Sequence, residues 1–320
     1  MSPRTSKDEC IVGKYSQRQS RARCMRPAAV STKQSFPLAM MIPTLPLEVI
    51  DAIIDESSAD RPTLQALALT HHGYLDRCQK HLFRDVELST ARIIPQQHSR
   101  LHEALVHQSH LGAYVKTLKI SLPDYRGELA YATYSTTLPG TLDKMTHLQA
   151  LHITYLPNLS LSKWGELRNS LLNLFSLATL ESVVFESIMY FPLQALDWFC
   201  YVKDLCFSHV SFNTGSSSSL LTLPTPPPPT DRNRLKSLSF RYCPSQTLEF
   251  FVKHTRNPNS TLCIDHLESF TINPWTEPSS DSIMEILIGC REHVRGLRWA
   301  LGSTESCTFI SPLLAQCNTD

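Results

Sequence analysis

Between residues 115 and 299 one six-position spacing of apolar residues recurs seven times: a Leu or Val, two variable residues, a Leu, Val or Phe, one variable residue, then an Ile, Phe or Trp. The copies are Val115–Ile120, Leu148–Ile153, Leu180–Phe185, Val202–Phe207, Leu235–Phe240, Leu267–Ile272 and Val294–Trp299, and they begin 33, 32, 22, 33, 32 and 27 residues apart. Helix-like stretches lie between them, at Ser99 to Tyr114, Leu161 to Ala178, Thr247 to His254 and Asp281 to His293. A strand followed by a returning helix buries its apolar residues only by stacking on the next copy. The pattern therefore predicts an α/β fold, an irregular repeat solenoid with a curved parallel sheet. An ordinary α/β domain whose buried strands share alternation would explain each copy singly, but not the shared spacing. With the first, fourth and sixth positions inward, the alternate residues Lys119, Ser121, His152, Thr154, Glu186, Ser208, Arg241, Asn273 and Arg298 line the inner curve. That mixed polar surface suits a protein target.

A different period governs residues 42–90. Pro46 suits a first helical turn and Glu48 meets the helix dipole, while Val49, Ile50, Ile53 and Ile54 form one apolar stripe. Asp60 and Pro62 mark a second helix start, followed by Leu64, Leu67 and Ala68 on one face. A third helix is expected after Gly73, with Leu75, Cys78 and Leu82 inward. Three helices in about forty residues bury little apolar surface alone, so the unit needs either a partner or the following domain.

The run from Leu45-Pro46-Leu-Glu-Val49-Ile50 through Ile53-Ile54 and Leu64-Gln-Ala-Leu67, closing on His81-Leu-Phe-Arg-Asp-Val-Glu-Leu88, resembles an F-box of the type common in fungal proteins. Many F-boxes carry an aromatic residue, usually Trp, where this chain has Thr70-His-His-Gly-Tyr74. The resemblance implies docking on the Skp-type adaptor of a cullin-RING ubiquitin ligase through Leu45, Pro46, Val49, Ile50, Ile53 and Leu67. The later copies resemble the leucine-rich repeats often found behind F-boxes, and Leu235-x-x-Leu238-x-Phe240-x-x-Cys243 fits their cysteine-type consensus best.

Composition narrows the remaining classes. The 320 residues are 42% apolar and 18% charged, as in a globular protein, and no apolar run reaches the roughly 18 residues of a membrane span. The net charge of +1 is unevenly spread: residues 1–41 hold eight Lys/Arg against two Asp/Glu, and residues 42–90 hold four against eight. The basic stretch reads as a disordered tail; its Arg- and Ser-rich character also fits a transit peptide, and Arg18, Arg21, Arg23 and Arg26 fit a nuclear address. A cytoplasmic or nuclear location is expected. Ten widely spaced cysteines without a Cys-x-x-Cys pair read as free thiols, with Cys206 and Cys243 packed beside strands. The stretch 213–234, with Gly-Ser-Ser-Ser-Ser and Pro224-Thr-Pro-Pro-Pro-Pro229, interrupts the repeats as a spacer or a proline-rich ligand.

Catalytic signatures are missing from the sequence. It has no P-loop, dinucleotide glycine fingerprint, Gly-x-Ser-x-Gly elbow or His-Glu-x-x-His motif, and only ten glycines. His102 and His107 are five apart and do not share a helix face; His98 and His102 share one but lack a third ligand. No cofactor, metal, membrane or specific nucleic-acid partner is expected. The expected function is that of a non-catalytic recognition adaptor; a repeat-based scaffold unconnected to ubiquitin is the alternative.

Overall fold

The computed structural model describes residues 45–89, 95–121, 137–154, 165–213, 233–273, 280–301 and 305–307. The chain divides after Leu45, and the helices and strands belong to the unit Pro46–Asp320. The basic stretch 1–41 and nearly all of the Ser/Pro-rich stretch 213–234 lie outside the described residues.

Three helices open this unit: α1 (Leu47–Glu56), α2 (Arg61–Thr70) and α3 (His72–Leu82). Pro46 precedes α1 as its N-cap instead of lying in the first turn, and its carbonyl accepts from the Val49 and Ile50 amides at 3.0 and 3.2 Å. Asp60 caps α2, accepting from the Thr63 amide and hydroxyl at 3.3 and 2.6 Å. Ile54, Leu64 and Cys78 are fully buried where the helices meet, with Ile50, Leu67, Ala68, Tyr74 and Leu82 packed round them. Leu75, expected inward, is 40% exposed. The inward strip of α3 is Tyr74, Cys78 and Leu82, spaced four apart, and Leu75 lies one residue round the helix from it.

The rest is an α/β layer. Eight parallel strands hydrogen-bond in chain order: β1 (Asp85–Ser89), β2 (Thr117–Ser121), β3 (Ala150–Thr154), β4 (Ser182–Glu186), β6 (Asp204–Ser208), β9 (Ser237–Arg241), β11 (Ser269–Asn273) and β12 (Gly296–Leu301). An antiparallel strand, β13 (Glu305–Cys307), ends the open sheet. Short two-residue strands pair beside it: β5 (Phe191–Pro192) with β7 (Phe212–Asn213), and β8 (Asn233–Arg234) with β10 (Leu262–Cys263). The crossovers carry α4 (Pro95–His107), α5 (His110–Tyr114), a helical turn at 137–142, α6 (Gly165–Phe175), a 3-10 helix (Leu193–Trp198), α7 (Ser245–Thr255) and α8 (Ser280–Gly289). The expected helix from Ser99 to Tyr114 is thus two, broken at residues 108–109.

The six-position pattern acts through backbone register. The carbonyl of each second position accepts from two successive amides of the next copy: Lys116 from Gln149 and Ala150, Gln149 from Glu181 and Ser182, Glu181 from Lys203 and Asp204. Lys203, Lys236 and Glu268 continue the series. Equivalent positions therefore stand side by side, as in Leu118↔Leu151↔Val183↔Leu205↔Leu238↔Phe270↔Leu297. First and fourth positions are buried in all seven copies from Val115 on, as are sixth positions from Ile120 to Ile272, all in one core with the crossover helices. Phe185, Phe207 and Phe240 stack across adjacent strands at centroid distances of 5.7 and 5.3 Å, and Phe251 of α7 meets the last two edge-on.

The series begins one copy earlier than the sequence pattern. The Arg84 carbonyl accepts from the Lys116 and Thr117 amides, and Asp85–Ser89 pairs in register with Thr117–Ser121. Phe83-Arg-Asp-Val86-Glu-Leu88 is thus an eighth copy, which begins 32 residues before Val115. It closes the stretch assigned to the helical module and is at once the edge strand of the sheet.

Gly112 sits at a close approach between copies. It is buried in α5 against the backbone of residue 144, where a Cβ would collide with the Lys144 carbonyl oxygen. Gly112→Ala is expected to destabilise the protein by about 2 kcal/mol through overpacking, read as a lower urea midpoint; an unchanged midpoint would remove this contact from the account.

Candidate functional site

Two surfaces combine exposed side chains of one chemical kind with a rigid support. The first is the outer side of α1. Its apolar stripe splits when the helices pack: Ile50 and Ile54 turn into the module's core, whereas Val49 and Ile53, four residues apart, remain 42% and 44% exposed. Pro46 and Leu47 are exposed as well, and Leu69 at the end of α2 is 88% exposed; Leu45, which belongs to the preceding unit, is exposed in its own right. Of the six residues the F-box resemblance assigns to an adaptor, four are open to solvent. Ile50 and Leu67 instead pack inside the module.

Charged groups hold α1 in place. Arg77 of α3 donates to Asp51 at 2.7 Å and to both oxygens of Asp55, and His81 lies 2.8 Å from Asp55. The hydrogen bonds from Arg77 and then His81 hold the Asp55 carboxyl far below the usual carboxylate range, and Asp55 correspondingly raises the Arg77 guanidinium. Leu47, Asp51, Asp55 and Arg77 line a shallow cleft between α1 and α3. Asp76 accepts from Lys80 and from the Tyr114 hydroxyl of α5, contacts that lower its pKa and join the module to the crossover behind β1. The stretch where many F-boxes carry an aromatic residue is a helix cap here: His71 Nδ1 accepts from the Gly73 amide at 3.0 Å, and Tyr74 packs on the core.

The second surface is the sheet face opposite the helices. Lys119, His152 and Arg298 fall in one row with Glu87, Val184, Cys206, Ser239 and Thr271. Ser121, Thr154, Glu186, Ser208, Arg241 and Asn273 form the next row. All the residues expected to contact a target are therefore brought onto one face, but not on equal terms. Thr154 is only 9% exposed, beneath the contact of His152 with Glu186 at 2.9 Å. Lys119 faces Glu87 at 3.7 Å. Arg241 is exposed, with its Nε donating to Ser239 Oγ at 3.3 Å, and Arg298 is exposed. The side-chain carbonyl oxygen of Asn273 is buried without a partner.

Sequence reasoning missed the rim beyond this face. Ser187, His209 and Tyr242 each follow a strand, and all three take φ between 53° and 55°. Their amides prolong the ladder to Ser208, Arg241 and Asn273. The His209 and Tyr242 rings stack at 5.0 Å, and Met189, Tyr190 and Tyr242 are exposed. The position two places after the sixth motif residue carried the signal, but it holds Ser, His and Tyr and so shows no shared residue type.

Other polar clusters serve the scaffold. Asp197 accepts from His254 Nε2 at 3.0 Å and from Ser260 Oγ and the Thr261 amide at 3.3 Å each. The hydroxyl turns to the acid and not to the imidazole, so the trio clamps the loop after α7 and forms no base-activated nucleophile. His102 meets the Thr141 hydroxyl at 3.0 Å. Burial pushes the thiols of Cys243 and Cys290 up to about 11 and about 12. Among the described residues no group of three or more His, Cys, Asp or Glu could hold a metal ion, and no helix is long and apolar enough to cross a membrane. No family model matches the chain, and neither a curated protein nor a solved structure is significantly similar to it.

Two outcomes are expected. Asp55 has a depressed folded pKa, so its stabilising contribution is complete at neutral pH, begins to fall near its unfolded value of 3.8 and is lost as the pH drops further. The stability gap between wild type and Asp55→Asn should therefore narrow from pH 7 towards acid in urea titrations; a constant gap would contradict the linkage. Iodoacetamide at pH 8 should leave Cys243 and Cys290 unmodified in the folded chain and modify both after unfolding. Prompt native labelling of either would show that its burial is not maintained.

Proposed function

We propose that this chain is a non-catalytic recognition subunit with two working faces. The helical module acts as an F-box-like unit that docks on the Skp-type adaptor of a cullin-RING ubiquitin ligase. The sheet acts as an irregular leucine-rich-repeat solenoid that binds a target protein on its curved open face. The observation that carries the reading is the division of α1: one apolar strip completes the module's own core, and a second strip has no cover among the described residues. A helix that served only to cap the sheet would have no use for Val49 and Ile53 on its outer side. The chemistry of ubiquitin transfer belongs to the partners, and the cytoplasm or nucleus is where such a subunit works.

A scaffold unconnected to ubiquitin is the second reading. It is favoured by the continuity of the module with the sheet, since α3 runs into the edge strand and Tyr114 ties to Asp76. The two readings part on the outer strip of α1. Val49→Asp with Ile53→Asp places charges there without touching the packed Ile50 and Ile54, so the fold should survive. Under the adaptor reading, co-purification with the Skp-type adaptor drops at least tenfold, as expected for an unpaired charge in a desolvated contact worth more than about 1.4 kcal/mol. Equal recovery of adaptor by wild type and variant, with unchanged circular dichroism, leaves the scaffold reading in place.

A further inference from the structure

The open face of the sheet is electrostatically divided. From β1 to β4 its carboxylates are engaged, Glu87 by Lys119 and Glu186 by a hydrogen-bonding contact with the His152 ring. From β6 to β12 the same two rows hold Cys206, Ser208, Ser239, Arg241, Thr271, Asn273 and Arg298, with two guanidinium groups and no carboxylate. No described acid lies within ion-pair distance of either arginine. Asp204, on the same face, stands at the opposite end of its strand from the Arg241 row. Glu186, two strands from Arg241 in that row, is engaged by His152.

We infer that this half of the face binds an extended, carboxylate-rich segment of a partner protein. The inference rests on reading the open face as the target surface and specifies the chemistry it selects. Arg241 suits the task, because its Nε is held by Ser239 Oγ while the side chain as a whole is exposed, which leaves the two terminal nitrogens of the guanidinium to pair with a carboxylate. Arg298 lies two strands away and two residues back in register, about 12 Å by strand spacing and rise. An extended peptide spans that distance with acidic residues three or four positions apart. The floor between the arginines is made of small side chains, Ser239, Thr271 and Asn273, which lets a backbone approach. Beside Arg241 the stacked His209 and Tyr242 rings form an apolar ledge for a neighbouring residue.

The test is fluorescence anisotropy of the full-length chain with a labelled peptide alternating Asp and Ser, beside versions with Asn or Lys for Asp and one with phosphoserine among Asn residues. Saturable binding of the Asp peptide that weakens with salt is expected, with no saturation by the Asn and Lys peptides. Arg241→Glu and Arg298→Glu should each weaken it roughly tenfold, whereas Lys253→Glu, the same charge change on the exposed side of α7, should not. Failure of the Asp peptide to bind, equal binding of the Asn peptide, wild-type affinity in both arginine variants, or binding of the phosphoserine peptide alone would each overturn the inference. Adaptor recovery by the arginine variants is measured in parallel. Acidic-peptide binding without any adaptor binding would leave this inference standing and remove the ubiquitin reading, and the reverse result would do the opposite.

Discussion

Everything in the sheet depends on one repeated backbone contact, the second-position carbonyl that accepts two successive amides of the next copy. It fixes neighbouring strands at zero offset. Because side chains alternate between faces, a slip of one residue would exchange Phe207 for Ser208 at the core and turn the polar rows inward. Each fully buried Leu, Ile or Phe contributes about 1.5–3 kcal/mol, so the penalty for a slip grows with every copy that shares the register. The same lock that builds the core gathers residues more than thirty positions apart, such as His152 and Glu186, onto one surface.

That coupling explains what could be read beforehand. Register turns a one-dimensional spacing into a three-dimensional neighbourhood, so the buried first, fourth and sixth positions and the membership of the open face follow from the pattern alone. The copy at Phe83 escaped because its end residues, Phe and Leu, lie outside the residue types of the others, although its distance of 32 to the next copy fits the period. Pairing on the open face was not legible. Whether Lys119 meets Glu87, or Thr154 is covered, depends on rotamers and on a strand whose place in the sheet the pattern did not include. In the helical module the apolar stripe of α1 was legible, but its division was not: only packing against Leu64 and Cys78 decides that Ile50 and Ile54 go in while Val49 and Ile53 stay out.

The joint between module and sheet matters for either proposed role. α3 leads through Phe83 directly into β1, and Arg77, Asp55, Asp76 and Tyr114 brace the helices on one another and on α5. A module joined by a flexible linker would present a bound target over a wide range of positions. Here the outer strip of α1 and the open face of the sheet are carried by one continuous set of packed elements. If both faces bind partners, those partners are held at a set separation, and the protein's contribution is geometric: it raises the effective concentration of one partner near the other without touching a reacting bond.

Backbone geometry constrains the rim residues as well. Ser187, His209 and Tyr242 occupy the left-handed region, where a residue other than glycine costs of the order of 1 kcal/mol. The ladder bonds to Ser208, Arg241 and Asn273 offset that cost at each step. Glycine would adopt the conformation freely, so the need to turn the chain does not account for an imidazole and a phenol at two of the three sites. What the larger side chains add is a stacked pair of rings held clear of the core, at the end of the strand that carries Arg241. Strain that recurs at equivalent positions belongs to the repeat, but the choice of side chain at those positions does not. The rings are not required by the fold, and they stand on the half of the face where no described acid pairs with the arginines.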